Sequence, residues 1–274
     1  MIEIMKAILF GIIEGVTEWL PISSTGHMIL LDEFIRLNVT PEFKEMFLVV
    51  IQLGAILAVL MLYWNTIFPF NFSGKGPIIK KETMTLWYKI IVACIPAAVI
   101  GLKFEDQIDA LFYNYQTVSL ALIVFGIFFI VIENRNRSKK AVVSQLGEIT
   151  YKMAFIVGVF QLIAAVFPGT SRSGATIVGG LLIGMSRGVA AEFTFLLAVP
   201  VMFGASFLKL VKFGFHFTSY EMTLLLTGMV VAFAVSVFVI KFLMGYIKKH
   251  DFKVFGWYRI VLGIAVLLYF MIAQ

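Results

Sequence analysis

The chain has 274 residues, of which 61% are hydrophobic and only 14% are charged, and its mean hydropathy is +0.98. A soluble domain of this length needs a far more polar surface, so the composition indicates an all-α polytopic membrane protein. The apolar runs are too long for barrel strands, and the net charge of +6 suits contact with anionic membrane lipid rather than with nucleic acid. Cys94 is the only cysteine, so no disulfide forms within the chain.

Long and short apolar runs alternate along the sequence. Runs of about 20 apolar residues can span a bilayer, whereas shorter ones are more often re-entrant. The long runs predict six spanning helices, at 43–64, 86–104, 117–133, 190–211, 220–243 and 255–273. The regions 4–37 and 152–187 each hold two shorter runs broken at a proline turn, which predicts two re-entrant helical hairpins. Ten short full spans are the alternative.

The two broken regions resemble each other, which indicates an internal repeat. The stretch 21–26 aligns with 168–174 if one extra residue is allowed, and Glu45 and Glu192 follow at the head of a span in each half. We therefore interpret the chain as one membrane domain built from repeat halves at 1–135 and 152–274, which a basic linker at 136–151 connects.

The number of spans gives the orientation of each half. A hairpin that returns to its own side plus three spans makes an odd total, so the second half enters the membrane inverted. The loops at 65–85, 134–152 and 244–254 are rich in Lys and Arg, whereas the loop at 105–116 holds three acids and no base. The positive-inside rule places the basic loops in the cytoplasm and both termini outside. The two hairpin tips are then expected to meet within the membrane.

The first hairpin carries polar residues at its turn. Glu14 and Glu18 are four residues apart, so on a helix they share one face. Pro21 is expected to end that helix, and Ser23 and Ser24 suit the N-cap of the next one. A helix N-terminus with hydroxyl groups is an anion site, and buried acids beside it are costly enough to indicate function.

Thr25 and His27 complete this polar group. Three hydroxyls beside a histidine and two glutamates exceed the needs of capping, and a serine next to a base is the usual arrangement of a nucleophile. The ordinary alternatives are a satisfied core histidine and a polar seam lined by a protonated acid pair. Two carboxylates on one helix face can also bind a divalent cation or act as a base.

The second hairpin supplies the opposite charge. Arg172 lies in its turn between Ser171 and Ser173, at the start of another predicted helix. A guanidinium at membrane depth needs an anionic partner, and its planar fork suits phosphate oxygens. A structural ion pair with Glu14 or Glu18 is the alternative, and both interpretations can hold in the empty protein.

Five further polar residues are weaker candidates. Glu192 is interpreted as capping its span, and Gln52 needs a polar partner within an apolar span. Lys209 is near enough to the end of its span to snorkel, and His216 and His250 are expected to be solvated in loops.

The motif Glu-Gly-x-Thr-Glu-x-Leu-Pro-x-Ser-Ser-Thr-Gly-His at 14–27 resembles the bacterial undecaprenyl-diphosphate phosphatase family of the bacitracin-resistance type. So does Pro-Gly-x-Ser-Arg-Ser-Gly-Ala-Thr at 168–176, and the likeness runs nearly end to end. The resemblance implies an integral membrane enzyme that removes the terminal phosphate of a C55 polyprenyl diphosphate and so recycles the cell-wall carrier lipid. It also implies inverted repeats with re-entrant hairpins. The positions that match the family's active-site residues are Glu14, Glu18, Ser24, Thr25, His27, Ser171 and Arg172.

These residues together favour hydrolysis of a phosphoanhydride. Ser24 is the predicted nucleophile, with His27 or a glutamate accepting its proton, and attack by water or by His27 stays open. The predicted substrate-binding residues are Arg172, Ser171, Thr25, Ser23 and Ser173. Glu14 and Glu18 are the predicted ligands of a divalent cation, Mg²⁺ or Ca²⁺.

A transporter or flippase of a polyprenyl phosphate lipid is the competing hypothesis, because inverted repeats with broken helices are typical of transporters. A transporter needs an anion site but no nucleophile or base. The expected location is the bacterial plasma membrane, with the site reached from the outer face. The expected partners are the polyprenyl diphosphate and membrane lipid, and a homodimer is left open.

Overall fold

The computed structural model describes residues 1–71 and 77–273, which are predominantly helical. The α-helices in chain order are α1 (Ile2–Thr17), α2 (Ser24–Phe34), α3 (Pro41–Leu62), α4 (Trp64–Ile67), α5 (Lys81–Phe112), α6 (Tyr115–Asn136), α7 (Tyr151–Val166), α8 (Arg172–Leu182), α9 (Arg187–Phe213), α10 (Ser219–Tyr246) and α11 (Lys253–Ala273). A 3₁₀ turn at Leu146–Glu148 precedes α7. Lys75, one of the basic residues in the predicted cytoplasmic loops, lies outside the described residues.

All six predicted spans are confirmed as helices. In the described part of the chain, six helices are long and apolar enough to cross a membrane, namely α3, α5 as far as Gly101, α6, α9, α10 and α11. Several begin a few residues before the predicted apolar run because each starts at a polar cap. Thr40, Ser186 and Thr218 each accept a hydrogen bond from the backbone N–H three residues further on.

The loop predicted at 105–116 is wrong for most of its length. Helix α5 continues to Phe112, and only its residue Phe104, with φ −125° and ψ 16°, departs from helical backbone geometry. The sequence from 105 to 112 contains neither glycine nor proline, so nothing in the backbone stops the helix where the polarity changes. The side chains of the three acids in this stretch, Glu105, Asp106 and Asp109, are outside the described set.

The regions 4–37 and 152–187 each fold into two short helices joined by a tight turn. Helices α1 and α7 both have 16 residues, and α2 and α8 both have 11. At 1.5 Å per residue even the longer pair reaches only about 24 Å, which is less than the hydrocarbon core of about 30 Å. The two pairs therefore match each other in length and differ from the six long helices.

Contacts at the open ends hold each short pair together. Near the start of α1, Glu3 Oε2 accepts from the backbone N–H of Asn38 at 2.9 Å, and Lys6 Nζ donates to the carbonyl of Arg36 at 2.6 Å. In the second region, Val143 before α7 pairs with Met185 after α8 in an isolated bridge. The first and last residues of each helix pair therefore lie next to each other.

The short helices pack against long helices from the other half of the chain. Helix α1 lies along α10 and α7 lies along α5, while α6 and α11 pack on each other. Small residues permit this approach, since a Cβ added to Gly11 would lie 2.6 Å from the carbonyl oxygen of Gly228, and one added to Gly158 would collide with the backbone of Ala93. Because each short helix packs on the other half of the chain, the turns at 18–23 and 167–171 lie against each other.

A second buried polar cluster lies away from these turns. Glu133 of α6, only 3% exposed, accepts from Arg187 Nε at 2.9 Å through Oε1 and at 3.2 Å through Oε2, and Oε2 also accepts from Nη2 at 2.6 Å. The backbone N–H of Phe252 donates to Glu133 at 3.0 Å. This ion pair connects α6 to the start of α9.

Candidate active site

The first turn places two acids at the end of α1. The backbone N–H of Glu18 donates to the carbonyl of Glu14 at 3.0 Å, so the two side chains are one helical turn apart, as their spacing predicts. The helix ends at Thr17, before Pro21, and the chain turns until Ser23 caps α2. The hydroxyl of Ser23 accepts from the backbone N–H of Gly26 at 3.3 Å, which confirms the predicted cap.

The second turn has the same construction. Ser171 caps α8, and its hydroxyl accepts from the backbone N–H of Gly174 at 3.1 Å. Ser23 and Ser171 have φ of 76° and 69°, and they are the non-glycine residues of the described chain with positive φ. A left-handed backbone costs an L-residue roughly 1–2 kcal/mol. The same strained cap therefore opens both α2 and α8.

Glu18 connects the two turns. Its Oε1 accepts from Arg172 Nη2 at 2.8 Å, and its Oε2 accepts from the hydroxyl of Ser24 at 2.9 Å. The hydroxyl of Ser173 donates to the backbone carbonyl of Glu18 at 3.0 Å. The two oxygens of the Glu18 carboxylate therefore accept one hydrogen bond each, from the guanidinium of Arg172 and from the hydroxyl of the predicted nucleophile, Ser24.

Arg172 is held on both sides by α9 and by the first turn. Its Nη1 donates to the carbonyl of Thr194 at 3.0 Å, while its Nε is buried without a hydrogen-bond partner. The pairing with Glu18 is the structural alternative considered for this residue from the sequence. The Nε–H of the guanidinium is thus available to a further acceptor.

Glu14 is the less connected of the two acids. Its side chain is 1% exposed, and its Oε1 has no hydrogen-bond partner. A buried carboxylate oxygen of this kind suits a hard cation such as Mg²⁺ or Ca²⁺, which prefers oxygen ligands. Within the described residues no group of three or more His, Cys, Asp or Glu side chains is placed to hold a metal ion. Glu14 and Glu18 stay the predicted ligands of such a cation.

His27 is engaged at both ring nitrogens. Its Nδ1 lies 2.7 Å from the carbonyl oxygen of Ser23, and its Nε2 lies 2.7 Å from the hydroxyl of Tyr258. Because a carbonyl oxygen only accepts, Nδ1 carries the hydrogen, and Nε2 of the neutral ring accepts the tyrosine proton. The sequence leaves His27 or a glutamate as the base for Ser24. In the structure the Ser24 hydroxyl donates to Glu18, whereas His27 is engaged by Ser23 and Tyr258.

The remaining hydroxyls of the predicted binding set lie at the two turns. Ser171 and Ser173 lie 3.1 Å apart through their hydroxyl oxygens, so Ser171 is both a cap and a neighbour of the residue that contacts Glu18. Thr25 is half-buried in the first turn of α2. Hydrogen bonds thus join the two turns into one polar cluster, whose members are Glu18, Ser24, Ser171, Arg172 and Ser173.

Two residues of α11 that the sequence analysis missed also reach this cluster. Tyr258 contacts His27, and the guanidinium of its neighbour Arg259 donates to carbonyl oxygens in both turns. Arg259 is fully buried inside a predicted span. An ionisable residue within a span is a functional hypothesis by default, so that signal was present in the sequence.

The weaker candidates lie outside the cluster formed by the two turns. The prediction that Glu192 caps its span is wrong, because α9 begins at Arg187 and is capped by Ser186. Lys209 Nζ lies 2.5 Å from Glu45, so it forms an ion pair across helices where snorkelling was predicted.

Among the described residues, three other weak candidates form no hydrogen bond or ion pair with the two turns. Gln52 is half-buried in α3. His216 and His250 are exposed, as predicted.

The fold and the cluster define a class of protein, a helical membrane protein with a buried polar site of acids, hydroxyls and a guanidinium. Residues 7–265 match the family described as bacitracin resistance protein BacA, and the chain belongs to that family. It is 69% identical to the undecaprenyl-diphosphatase of Desulfitobacterium hafniense over 98% of this chain and 97% of the relative. It is 67% identical to undecaprenyl-diphosphatase 1 of Clostridium acetobutylicum, over 99% and 98%. An undecaprenyl-diphosphatase of Enterococcus faecalis is 64% identical over 97% of each chain.

Proposed function

We propose that the chain is a membrane phosphatase that hydrolyses undecaprenyl diphosphate to undecaprenyl phosphate and inorganic phosphate. This activity recycles the cell-wall carrier lipid and accounts for bacitracin resistance in the family. The names of relatives that are 64–69% identical over nearly the whole chain support the substrate. The observation that carries the chemistry is the contact of Glu18 with both Ser24 and Arg172.

Ser24 is the proposed nucleophile. Its hydroxyl donates to Glu18 at 2.9 Å, so the carboxylate is in place to accept the proton as Oγ attacks the terminal phosphorus. The new bond joins Oγ to phosphorus, and the bond from phosphorus to the bridging oxygen breaks, so that undecaprenyl phosphate leaves. The protonated Glu18 passes this proton to the leaving phosphate oxygen and becomes a carboxylate again. It then deprotonates a water molecule that attacks the phosphorus of the phosphoserine. The bond from phosphorus to Oγ breaks, Oγ takes the proton back from Glu18, and inorganic phosphate leaves.

Arg172 is the proposed phosphate-binding residue. Its unpaired Nε and a fork of donors suit phosphate oxygens, and the charge that develops on the leaving group is stabilised by the same guanidinium. The N-termini of α2 and α8 both face this cluster, and helix N-termini favour anions. The proposed roles of Thr25, Ser23, Ser171 and Ser173 are to shape and donate to this anion site.

A divalent cation fits the acid pair beside this site. Glu14 and Glu18 would hold it, because Glu14 has a buried oxygen without a hydrogen-bond partner. When bound, Mg²⁺ or Ca²⁺ would neutralise charge on the phosphate oxygens.

We further propose that α1–α2 and α7–α8 are re-entrant hairpins in an inverted repeat of the halves 1–135 and 152–274. The equal lengths of corresponding helices and the two strained serine caps support this symmetry. The reciprocal packing of α1 on α10 and of α7 on α5 supports it as well. The first hairpin would enter from the outer face, so the lipid head group would reach the site from outside the bacterial plasma membrane.

Surface labelling tests this topology. In a Cys94→Ala background, a cysteine replacing Lys139 is expected to react only from the cytoplasm, and one replacing Gln107 only from outside. Both positions are exposed. Labelling of both from one side would contradict the odd number of spans in each half and the inverted repeat that depends on it.

Phosphate release by detergent-purified protein tests the activity. The wild type is expected to release inorganic phosphate from undecaprenyl diphosphate, and Ser24→Ala is expected not to. Movement of the lipid across proteoliposomes without phosphate release would instead support the transporter hypothesis and refute the enzyme.

A further inference from the structure

Arg259 is a buried cation without a carboxylate partner. Its side chain is fully buried, and among the described residues no acid lies within ion-pair distance of it. Isolated buried charge is expensive, since charged groups inside proteins are normally paired. Arg259 nevertheless lies inside the apolar helix α11, which indicates that its guanidinium has a specific role.

The partners of Arg259 are turn carbonyls from both helix pairs. Nη1 donates to Pro21 at 3.3 Å, and Nη2 donates to Gly169 at 3.1 Å and to Thr170 at 2.5 Å. These carbonyls lie just before the strained caps Ser23 and Ser171, where the backbone is not helical. Carbonyls at membrane depth need donors from the protein, and one planar guanidinium supplies them to both turns at once.

The first turn of α8 leaves room for this guanidinium. A Cβ added to Gly174 would lie 2.5 Å from Arg259 Nη1, so glycine at this position permits the approach. The guanidinium is also 5.9 Å from the ring centroid of Phe125, which gives it one apolar neighbour in place of a counter-ion. Arg259 is thus enclosed between the two turns and has no exposed surface.

We propose that Arg259 is a positioning residue that fixes the two turns relative to each other, so that Ser24, Glu18 and Arg172 keep their catalytic geometry. This proposal rests on the proposed phosphatase function. The cross-turn contacts of Glu18 with Arg172 and Ser173 connect side chains, whereas Arg259 binds the backbones that carry them. A displacement of about 1 Å between reacting groups can lower a rate by roughly a hundredfold.

Arg259→Lys tests the proposal because lysine keeps the charge but has a single ammonium that cannot replace the planar fork. We expect kcat for phosphate release to fall by at least about tenfold, while KM changes by less than about threefold, because Arg172 still binds the phosphate. Arg187→Lys is the matched control. It alters another contact between an arginine and the protein interior, in which the half-exposed Arg187 binds the buried Glu133 away from the two turns.

Gly174→Ala is a second perturbation that leaves Arg259 in the sequence. Its Cβ displaces the guanidinium, so the same loss of kcat with a nearly unchanged KM is expected. If Arg259→Lys does not fold, Gly174→Ala decides the kinetic prediction. A wild-type kcat per folded molecule in Arg259→Lys, or in Gly174→Ala if the lysine variant does not fold, would overturn the proposal. An equal loss of kcat in Arg187→Lys would overturn it as well.

Hydrogen exchange separates this proposal from the function on which it rests. Backbone amides at 20–26 and 168–174 are expected to exchange faster in Arg259→Lys than in Arg187→Lys when both are measured without substrate. If the wild type releases no phosphate and the two turns still exchange faster in Arg259→Lys than in the wild type, the phosphatase is refuted and the structural connection between the turns stands. Unchanged exchange in both turns would refute the positioning role whatever the activity.

Discussion

Replacing Glu18 by glutamine removes the charge that connects the nucleophile to the phosphate-binding arginine. Glutamine has nearly the same size, so the packing of the turn is preserved while its carboxylate is lost. The Ser24 hydroxyl then has no base at 2.9 Å, and Arg172 loses its ion pair at 2.8 Å. The substitution therefore tests the role of the carboxylate in catalysis without changing the packing of the turn.

The expected loss has two parts of different size. Removing one partner of a buried ion pair costs about 3–5 kcal/mol of stability, and the side chains of Arg172 and Glu18 are only 13% and 6% exposed, so solvent screens the pair little. Removing a general base lowers the rate by roughly 10²–10⁴-fold. The second part remains after the activity is normalised to folded protein.

Phosphate release per folded molecule and thermal unfolding in detergent measure the two parts. Glu133→Gln is the control, because the buried carboxylate of Glu133 forms an ion pair with the half-exposed Arg187 outside the site. We expect both variants to lose stability and only Glu18→Gln to lose turnover. A Glu18→Gln protein whose kcat stays within about tenfold of wild type would refute Glu18 as the base, since general bases contribute more than that.

Three further substitutions, one of them with a matched control, test the neighbouring roles. Arg172→Lys is expected to lower kcat/KM by at least about tenfold in folded protein, because lysine lacks the bidentate fork; near-normal turnover would make this arginine structural. Ser24→Ala is expected to be nearly inactive while still binding the lipid diphosphate, whereas Ser23→Ala loses a cap worth about 1 kcal/mol and keeps substantial activity; equal, mild losses in the phosphate assay would exclude covalent attack by Ser24. Tyr258→Phe removes one hydrogen bond to His27, so turnover is expected to fall by no more than about tenfold; a loss beyond about a hundredfold would place the tyrosine in the chemistry.

The sequence by itself determined the membrane class, the six long helices and the two broken regions. These features depend on local properties, because the length of an apolar run and the presence of a proline turn are compared directly with the thickness of a bilayer. The acids at positions 14 and 18, the serines of both turns and Arg172 were recognisable for the same reason. Polar groups inside apolar sequence are costly wherever the chain folds.

The ends of the helices could not be predicted accurately from the lengths of the apolar runs. Caps such as Thr40 and Ser186 lie outside the apolar runs, and the extension of α5 to Phe112 depends on backbone propensity rather than on hydropathy. The position of Glu192 inside α9 follows from the same cause. A change in polarity marks where a helix leaves the apolar phase, and it does not mark where the helix stops.

Only the tertiary structure decided how the site is connected. Glu18 and Arg172 are 154 residues apart in sequence, and nothing local chooses between Glu14 and Glu18 as the partner of Ser24 and the arginine. The contact of His27 with Tyr258 joins residues 231 apart, and Arg259 binds Pro21 and Thr170 across 238 and 89 residues. These contacts exist because α11 packs on α6 beside the meeting turns, and that placement is set by the packing of all the helices together rather than by any one segment.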